Sequence, residues 1–168
     1  MPAPPIDIRH ARLDDLPRLT AIYNHYIRET AITFDIEPYT VEGRRPWLAQ
    51  HGTSGRHQLV VAEVGGTIVG YAGTGTFRAK QAYETSVEMT VYLDPAATGR
   101  GIGAALYGDL LPRIAREDVH RALAGITLPN PQSIALHQRF GFRPVAHFTE
   151  NGRKFDRYWD VVWLEKDF

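Results

Sequence analysis

Residues 91–111 read VYLDPAATGRGIGAALYGDLL, and they carry more information about the fold than any other segment. It joins an alternating strand, predicted over 86–93, to a glycine-rich turn at 98–103 and then to a helix. Apolar side chains recur at helical spacing along that helix, at Ile102, Leu106, Leu110 and Ile114. Glycines let a backbone approach a ligand closely, and the first N–H groups of a helix are free to bind an anion. The stretch therefore predicts a site for a phosphate or pyrophosphate.

Two other phosphate-binding arrangements do not fit this glycine turn. A Walker loop continues with Gly-Lys-Ser/Thr, whereas Gly103 is followed by Ala104 and Ala105. A dinucleotide-binding fold usually places its glycine turn after the first strand, but this turn follows roughly the fourth predicted strand. A glycine-rich helix start that binds no ligand stays open as the plain alternative.

Upstream of the turn, apolar residues follow strand and helix periods in succession. They predict a strand, two helices and a hairpin with the turn Gly65-Gly66, over 6–10, 14–29, 41–50, 58–64 and 67–76. Asp14 is the predicted N-cap of the first helix, with Pro17 tolerated in its first turn. Pro112 is predicted to bend the helix after the glycine turn, or to end its regular part early.

Downstream of that helix, the pattern predicts a strand, a short helix ended by Gly141 and two strands joined by Asn151-Gly152, over 121–128, 133–140, 145–150 and 154–164. Pro144 fits just ahead of the first strand of this pair, where no ladder N–H is needed. Because hairpins and helices mix along the chain, we expect one domain over residues 1–168. Its fold class is α/β, with a mixed, partly antiparallel central sheet flanked by helices.

Composition narrows the class of protein. Lys plus Arg and Asp plus Glu both number 19, so the formal net charge is zero and no broad positive field favours nucleic acid. There is no cysteine, which excludes disulfides, cysteine-ligated metals and a cysteine nucleophile. The start does not read as a signal peptide, and no apolar run is long enough to span a bilayer. We expect a soluble, cytoplasmic protein without nucleic-acid or membrane partners.

Two separated motifs resemble the GNAT superfamily of N-acetyltransferases. VYLDPAATGRGIGAALYGDLL is similar to its acetyl-CoA motif, Gln/Arg-x-x-Gly-x-Gly/Ala after a strand, and NPQSIALHQRFGF is similar to its later Asn-x-x-Ala/Ser segment. More narrowly, IYNHYIRETAITFD, YAGTGTFRAKQAYETSVEMTVYL and GRKFDRYWD resemble the phosphinothricin and methionine sulfone/sulfoximine acetyltransferases. The resemblance covers almost the whole chain. It implies the GNAT acyl-CoA N-acyltransferase fold, a homodimer, acetyl-CoA as co-substrate and no metal.

The resemblance also assigns the residues that would bind acetyl-CoA. Backbone groups of Val91, Tyr92 and Leu93 would pair with the pantetheine as an added strand does. Asn130 would hold the pantetheine arm. The pyrophosphate would lie on the turn and helix start, formed by Gly99, Arg100, Gly101, Ile102, Gly103 and Ala104. The motif's usual Gln or Arg is Thr98 here, and Arg100 supplies positive charge close to it.

Amine acetylation needs a neutral amine, donors for an oxyanion and a route for protons. Glu88 is the candidate base, because its strand leads into the glycine turn and the matching Glu in the resembling enzymes sits at the substrate site. A solvated Glu on a polar sheet face is the alternative from position alone. His137 is the candidate acid for the coenzyme A thiolate, or a contact of the pantetheine, with a structural His on a helix as the alternative.

Four further residues are expected on the acceptor side. A guanidinium fork suits a carboxylate or phosphinate, so Arg78 is the candidate for the anionic end of the acceptor, with an ordinary surface Arg as the alternative. Tyr83 and Phe34 would be apolar walls, or simply core residues. Lys154 is a weaker substrate contact, with a surface salt bridge as the alternative.

Several other functions stay open. The acceptor amine is a small amino-acid-like molecule in the leading interpretation, and a protein N-terminus, polyamine or aminoglycoside in the second. A non-catalytic acyl-CoA sensor would keep the glycine turn without the chemistry, and a nucleotide-binding domain ranks last. The seven histidines form no metal-binding spacing, and no serine lies in a Gly-x-Ser-x-Gly elbow.

Overall fold

The computed structural model describes residues 4–168 and shows one seven-stranded sheet with helices on both faces. The strands are β1 (Ile6–His10), β2 (Leu59–Val64), β3 (Thr67–Thr76), β4 (Ser86–Leu93), β5 (Arg121–Thr127), β6 (Arg143–Lys154) and β7 (Arg157–Asp167). The helices are α1 (Leu16–Glu29), α2 (Val41–Ala49), α3 (Ile102–Ile114) and α4 (Pro131–Arg139). Within the described range, none of these helices has the length and apolarity needed to cross a bilayer.

The sheet runs in the order β1-β2-β3-β4-β5-β7-β6. Neighbouring strands pair antiparallel, except for β4 and β5, which are parallel. The expected mixed, partly antiparallel sheet flanked by helices is therefore confirmed. The parallel pair needs a crossover connection, and α3 provides it, since it follows β4 and precedes β5.

Each sheet face has its own buried apolar cluster. Leu106 and Leu110 of α3 are buried against one face. Leu19 and Ile22 of α1 are buried with Tyr71 of β3 against the other. The apolar stripe predicted for α3 is thus the side of the helix that packs on the sheet.

The N-cap of the first helix lies one residue later than predicted. A 3₁₀ turn at Leu13–Asp15 comes first, and Asp15, not Asp14, stands at the N-cap of α1. The Asp15 carboxylate is held by two hydrogen bonds from the Arg9 guanidinium, of 2.7 and 2.9 Å, and by the Arg12 N–H at 2.7 Å. The sequence next to the cap could not predict this contact, because Arg9 lies on β1.

Pro112 does not end α3 early. The helix continues to Ile114, and the Ala115 N–H donates to the Leu111 carbonyl at 2.9 Å. Proline removes the N–H that would have bonded the Gly108 carbonyl. Both residues are exposed, so water can satisfy that carbonyl.

The predicted Asn151-Gly152 turn is wrong. β6 runs through both residues to Lys154, and the chain reverses at Phe155 and Asp156, whose φ angles are 54° and 56°. Two successive left-handed residues are the geometry of a tight hairpin turn. Glycine is needed at 152 for packing, because a Cβ atom there would overlap the ring of Phe34.

Pro144 lies inside β6 rather than ahead of it, paired with Leu164. The strand tolerates proline because β6 is at the edge of the sheet, where one row of N–H groups has no ladder partner.

Candidate active site

The site begins where β4 and β5 separate. Their ladder covers only Ser86–Glu88 against Arg121–Leu123, although β4 continues to Leu93 and β5 to Thr127. Past Glu88 the two strands diverge and leave a cleft in the middle of the sheet. Such a cleft exposes backbone donors and acceptors that an extended ligand can pair with.

The pairing of β3 with β4 fixes which backbone groups face the cleft. The Asp94 N–H donates to the Val69 carbonyl on β3 at 2.8 Å. The N–H and C=O groups of successive residues point to opposite sides of a strand. Those of Tyr92 therefore point to β3, as those of Asp94 do, and those of Val91 and Leu93 point into the cleft. The Leu93 carbonyl accepts a 2.6 Å hydrogen bond from the Tyr26 hydroxyl. Val91 and Leu93 thus lie as the cofactor hypothesis requires, and the backbone of Tyr92 does not.

A space of about 470 Å³, hereafter the groove, runs from this cleft along the glycine turn to the start of α4. Its lining contains eight of the predicted cofactor residues: Val91, Leu93, Gly99, Gly101, Ile102, Gly103, Ala104 and Asn130. Arg100 and Tyr92 lie outside the lining. The turn, the strand end and α4 therefore converge as the two sequence motifs predict.

The glycine turn presents backbone N–H groups to the groove. Gly99 and Gly101 have φ angles of 74° and 78°, in the left-handed region that glycine tolerates. The first internal bond of α3 joins the Ala105 N–H to the Gly101 carbonyl at 3.0 Å. The N–H groups before Ala105 have no partner in the helix, and they are available to an anion. At Gly103 a Cβ atom would lie 3.1 Å from Leu136, so glycine also lets α3 and α4 pack closely.

A second space, the inner cavity, has a volume of about 330 Å³ and continues the cleft. It shares Ile32, Val91 and Ser133 with the groove. Glu88 and Phe34 line it, so two of the residues expected on the acceptor side do meet at this position. Ligands in the groove and in the inner cavity would come together at Val91 and Ser133.

Glu88 is half-buried in the wall of the inner cavity. Burial raises the pKa of its carboxyl above the ordinary value, and the positive charge of Arg78 offsets part of that rise. A carboxylate with a raised pKa is a stronger base than a solvated one. This environment differs from the solvated sheet face that position alone suggested.

His137 lines the same cavity but is only 3% exposed, and both its ring nitrogens are engaged. Nδ1 lies 2.7 Å from the Ser133 carbonyl oxygen, which can only accept, so Nδ1 carries the hydrogen. Nε2 then accepts from the Tyr107 hydroxyl at 2.9 Å. Burial lowers the pKa of the imidazole, opposed by the bond to Ser133, so the ring is held neutral.

Arg78 and Tyr83 lie in neither space. They line a separate surface depression of about 500 Å³. The Tyr83 ring packs 5.9 Å from Phe77, which packs 5.7 Å from Trp163 in the wall of the inner cavity. Arg78 is exposed and reaches Glu88 only through its charge. The structure therefore does not bring these two residues together with Phe34.

Lys154 is not in a surface salt bridge. It is 4% exposed, and its Nζ atom donates to the Thr33 carbonyl at 2.8 Å. Burial lowers the pKa of this amine, opposed by the charge of Asp35. Lys154 thereby ties β6 to the 30–40 loop that carries Phe34.

Arg44 was not among the predicted site residues, and it lies in a space next to the inner cavity. Its side chain is buried on α2, with the guanidinium carbon 3.8 Å from the Trp47 ring centre and 4.3 Å from that of Tyr23. A helix turn places residues three apart on one face, so Arg44 before Trp47 was a usable signal. As for metals, residues 4–168 contain no cluster of three or more metal-binding side chains.

Comparison with known proteins agrees with this geometry. The acetyltransferase (GNAT) domain model matches residues 8–163. The chain is 54% identical over 163 residues to a phosphinothricin N-acetyltransferase of Streptomyces coelicolor, covering 96% of this chain and 95% of that protein. It is 31% identical over 158 residues to an L-methionine sulfoximine/L-methionine sulfone acetyltransferase of Pseudomonas aeruginosa, covering 94% of this chain and 92% of that protein.

Among solved structures, a GNAT superfamily phosphinothricin acetyltransferase from Sinorhizobium meliloti, in complex with acetyl-CoA, superimposes with a TM-score of 0.91 at 30% identity. The superposition covers 97% of this chain and 88% of that one. The expected GNAT fold is thereby confirmed. The chain belongs to the GNAT family of N-acetyltransferases, and it resembles that family's phosphinothricin and methionine sulfoximine/sulfone acetyltransferases.

Proposed function

We propose that this enzyme transfers the acetyl group of acetyl-CoA to the α-amino group of a small amino-acid-like acceptor. Phosphinothricin, methionine sulfoximine and methionine sulfone are the acceptors that the relatives suggest. The observation that carries the proposal is the junction at Val91 and Ser133, where the groove meets an inner cavity walled by Glu88. Acetyl-CoA in the groove would supply the activated acyl group at that junction.

The groove suits acetyl-CoA. The helix start after Gly101 offers unpaired N–H groups to a pyrophosphate, and Val91 offers cleft-facing backbone groups to a pantetheine amide. Asn130 lines the same groove at the N-terminus of α4, although its Oδ1 atom also accepts from the Ser133 N–H at 3.2 Å. Its amide N–H groups are left to reach a ligand.

Glu88 would prepare the amine. An amino acid enters with its α-amino group mostly protonated, and the Glu88 carboxylate can bind that ammonium and take one proton, directly or through a water. The freed nitrogen then attacks the thioester carbonyl, and the Val91 N–H is the nearby donor for the oxyanion. Collapse of this intermediate breaks the C–S bond and releases coenzyme A as its thiolate, and the extra proton of the nitrogen passes to that thiolate or to water. Because the two spaces meet and the chain has no cysteine, we propose direct transfer in a ternary complex.

The hydrogen bonds of His137 favour a positioning role. Donating a proton to the departing thiolate would require breaking one of its two buried bonds. Ser133, in contrast, lines both the groove and the inner cavity, and its hydroxyl oxygen lies 3.5 Å from Nδ1 of His137. We therefore assign to Ser133 the hydrogen bond to the departing sulfur, and to His137 the placement of the α4 start.

The shape of the inner cavity favours a small acceptor. Phe34, Trp163 and Tyr23 wall a space of about 330 Å³, which is in the range of small-molecule sites.

The hairpin of β6 and β7 at the edge of the sheet exposes four large apolar side chains of the kind that an interface covers, namely Val145, Phe148, Phe155 and Tyr158. This supports the homodimer that we propose, and light scattering of the purified protein would test it.

The decisive experiment is release of coenzyme A thiol from acetyl-CoA with a panel of acceptors. It contains phosphinothricin, methionine sulfoximine, methionine sulfone, common amino acids, polyamines and short peptides. Rapid release with the first three would support the proposal. Turnover of peptides or polyamines alone would keep the chemistry and overturn the acceptor class. Tight acetyl-CoA binding without any release would favour a sensor.

A further inference from the structure

A third space adjoins the inner cavity and is built around a buried cation. This side cavity has a volume of about 160 Å³ and shares Tyr23, Thr90 and Tyr92 with the inner cavity. Its remaining lining comes from α2, from Tyr71 on β3 and from the chain before α2, as Asp35, Tyr39, Gly43, Arg44, Trp47 and Tyr71. The side cavity is therefore next to the inner cavity, with these three residues between them.

Arg44 is this cation, and its guanidinium makes few hydrogen bonds for a buried group. The residue is 5% exposed, yet within residues 4–168 no carboxylate lies within ion-pair distance of it. Its guanidinium has five N–H donors, of which one bonds the Leu19 carbonyl at 3.2 Å and another reaches the Tyr71 hydroxyl at 3.5 Å. A buried charge without a counter-ion is costly, and an incoming acceptor of hydrogen bonds would relieve that cost.

Aromatic rings hold the guanidinium in place. Its central carbon is 3.8 Å from the Trp47 ring centre, 4.3 Å from Tyr23, 5.9 Å from Tyr71 and 6.0 Å from Tyr39. Such contacts stabilise the cation without using up its N–H donors. The same rings give the side cavity apolar walls, which suit a methyl group beside the charge.

Asp35 is the other charged residue of the side cavity. Its carboxylate accepts a 2.6 Å hydrogen bond from the Tyr23 hydroxyl and forms no ion pair with Arg44. An ionised Asp35 carboxylate can only accept hydrogen bonds, so Arg44, with N–H donors to spare, is the charged group that can donate to a ligand here. The cavity thus combines a fork of donors with apolar walls.

We infer that the side cavity binds the oxygen-bearing end of the acceptor's side chain, with Arg44 as the residue that selects it. The ligand class is a methyl-bearing tetrahedral group with two electronegative atoms, such as a methylphosphinate or a methyl sulfone. A guanidinium fork matches two such oxygens, and the aromatic walls match the methyl group. This inference rests on the proposed function, and it replaces Arg78 with Arg44 as the binder of that side-chain group.

The test uses three acceptors with the same α-amino acid portion and the same chain length. Phosphinothricin ends in an anionic methylphosphinate, methionine sulfone in a neutral methyl sulfone, and methionine in a methyl thioether without oxygens. KM and kcat are measured for each with wild type, Arg44→Gln and Arg44→Lys. Arg45→Gln is the matched control, because Arg45 is the next residue of α2 but is exposed and paired with Glu42.

For Arg44→Gln we expect KM for phosphinothricin to rise at least about tenfold, KM for the sulfone to rise less, and KM for methionine to change little. Arg44→Lys keeps the charge but loses the fork, so it should show a smaller, equally selective loss. Arg45→Gln should match the wild type. An equal loss with all three acceptors, or no loss with any, would show that Arg44 only supports the fold. If Arg44→Gln does not fold, Arg44→Lys decides by the same criterion.

A binding measurement separates this inference from the proposed function. Dimethylphosphinate has the head group without an amine, and its binding, measured by calorimetry, should be detected in wild type and Arg45→Gln but be much weaker in the Arg44 variants. This binding requires no turnover. Binding without acetyl transfer would keep the inference and overturn the proposed function, whereas transfer without any Arg44-dependent binding would overturn the inference alone.

Discussion

The Tyr107 hydroxyl donates a hydrogen bond of 2.9 Å to Nε2 of His137, inside the packing between α3 and α4. The other ring nitrogen donates to the Ser133 carbonyl at 2.7 Å. Tyr107 on α3 thus fixes the position of His137 on α4, the helix that borders the acyl-transfer junction. This relationship makes His137 part of the scaffold around Ser133.

Tyr107→Phe is expected to reduce stability by about 1–3 kcal/mol, because it leaves the buried Nε2 atom of His137 without a donor. Turnover should fall by less than about tenfold, since no group at the junction is removed. Urea unfolding and steady-state kinetics measure the two effects. A much larger loss of kcat at unchanged stability would show that the Tyr107 proton takes part in catalysis.

Ser133→Ala is expected to lower kcat by about tenfold or more, with a smaller change in KM for acetyl-CoA. The physical reason is the loss of the hydroxyl of a residue that lines both spaces. His137→Gln provides the comparison, and we expect it to affect stability more than kcat. The reverse order, with kcat intact in Ser133→Ala and lost in His137→Gln, would return the acid role to His137.

Glu88→Gln is expected to lower kcat/KM by about 10²–10⁴-fold at pH 7, while acetyl-CoA binding persists. In the wild type, activity should fall on acidification as Glu88 is protonated, and burial places that limb above the ordinary pKa of the carboxyl. The variant should lack this limb. Rates measured between pH 4 and 9, with calorimetry of acetyl-CoA binding, test both statements, and an unchanged acidic limb would exclude Glu88 as the base.

The same substitution should increase stability at neutral pH. A carboxyl with a raised folded pKa binds its proton more tightly in the folded state, so folding loses stability as pH rises through that pKa. Glu88→Gln removes this loss and should unfold at a higher temperature than wild type at pH 7. The difference should shrink at acidic pH. A lower melting temperature of the variant at pH 7 would contradict burial as the main influence on Glu88.

Gly152→Ala is expected to reduce stability by about 1–3 kcal/mol and to raise KM for the acceptor. The added Cβ atom would overlap Phe34, which walls the inner cavity, so the 30–40 loop must shift. Gly75→Ala is the control, because a Cβ atom there meets nothing within 4 Å. If both variants unfold at the same urea concentration as wild type, the Phe34 contact does not hold the loop.

Much of the fold could be predicted because its signals are local. The alternation of Val87, Met89, Val91 and Leu93 and the helical spacing after Gly101 depend only on neighbours along the chain. The turn at Phe155 and Asp156 was missed for the opposite reason. Asn-Gly is a strong turn signal, but Gly152 packs against Phe34, a residue distant in sequence, and the turn lies three residues further on.

Periodicity in the sequence was enough to predict the strand–turn–helix unit. The resemblance to the acetyltransferases assigned the cofactor residues and Glu88, because its motifs consist of residues that are close together in the sequence. Only the tertiary structure decided that Arg78 lies outside the inner cavity, that both nitrogens of His137 are engaged and that Arg44 is buried without a carboxylate. Each of these depends on which distant segments meet, and the free energy of burying a charge or a hydrogen-bonding group is fixed only by those contacts.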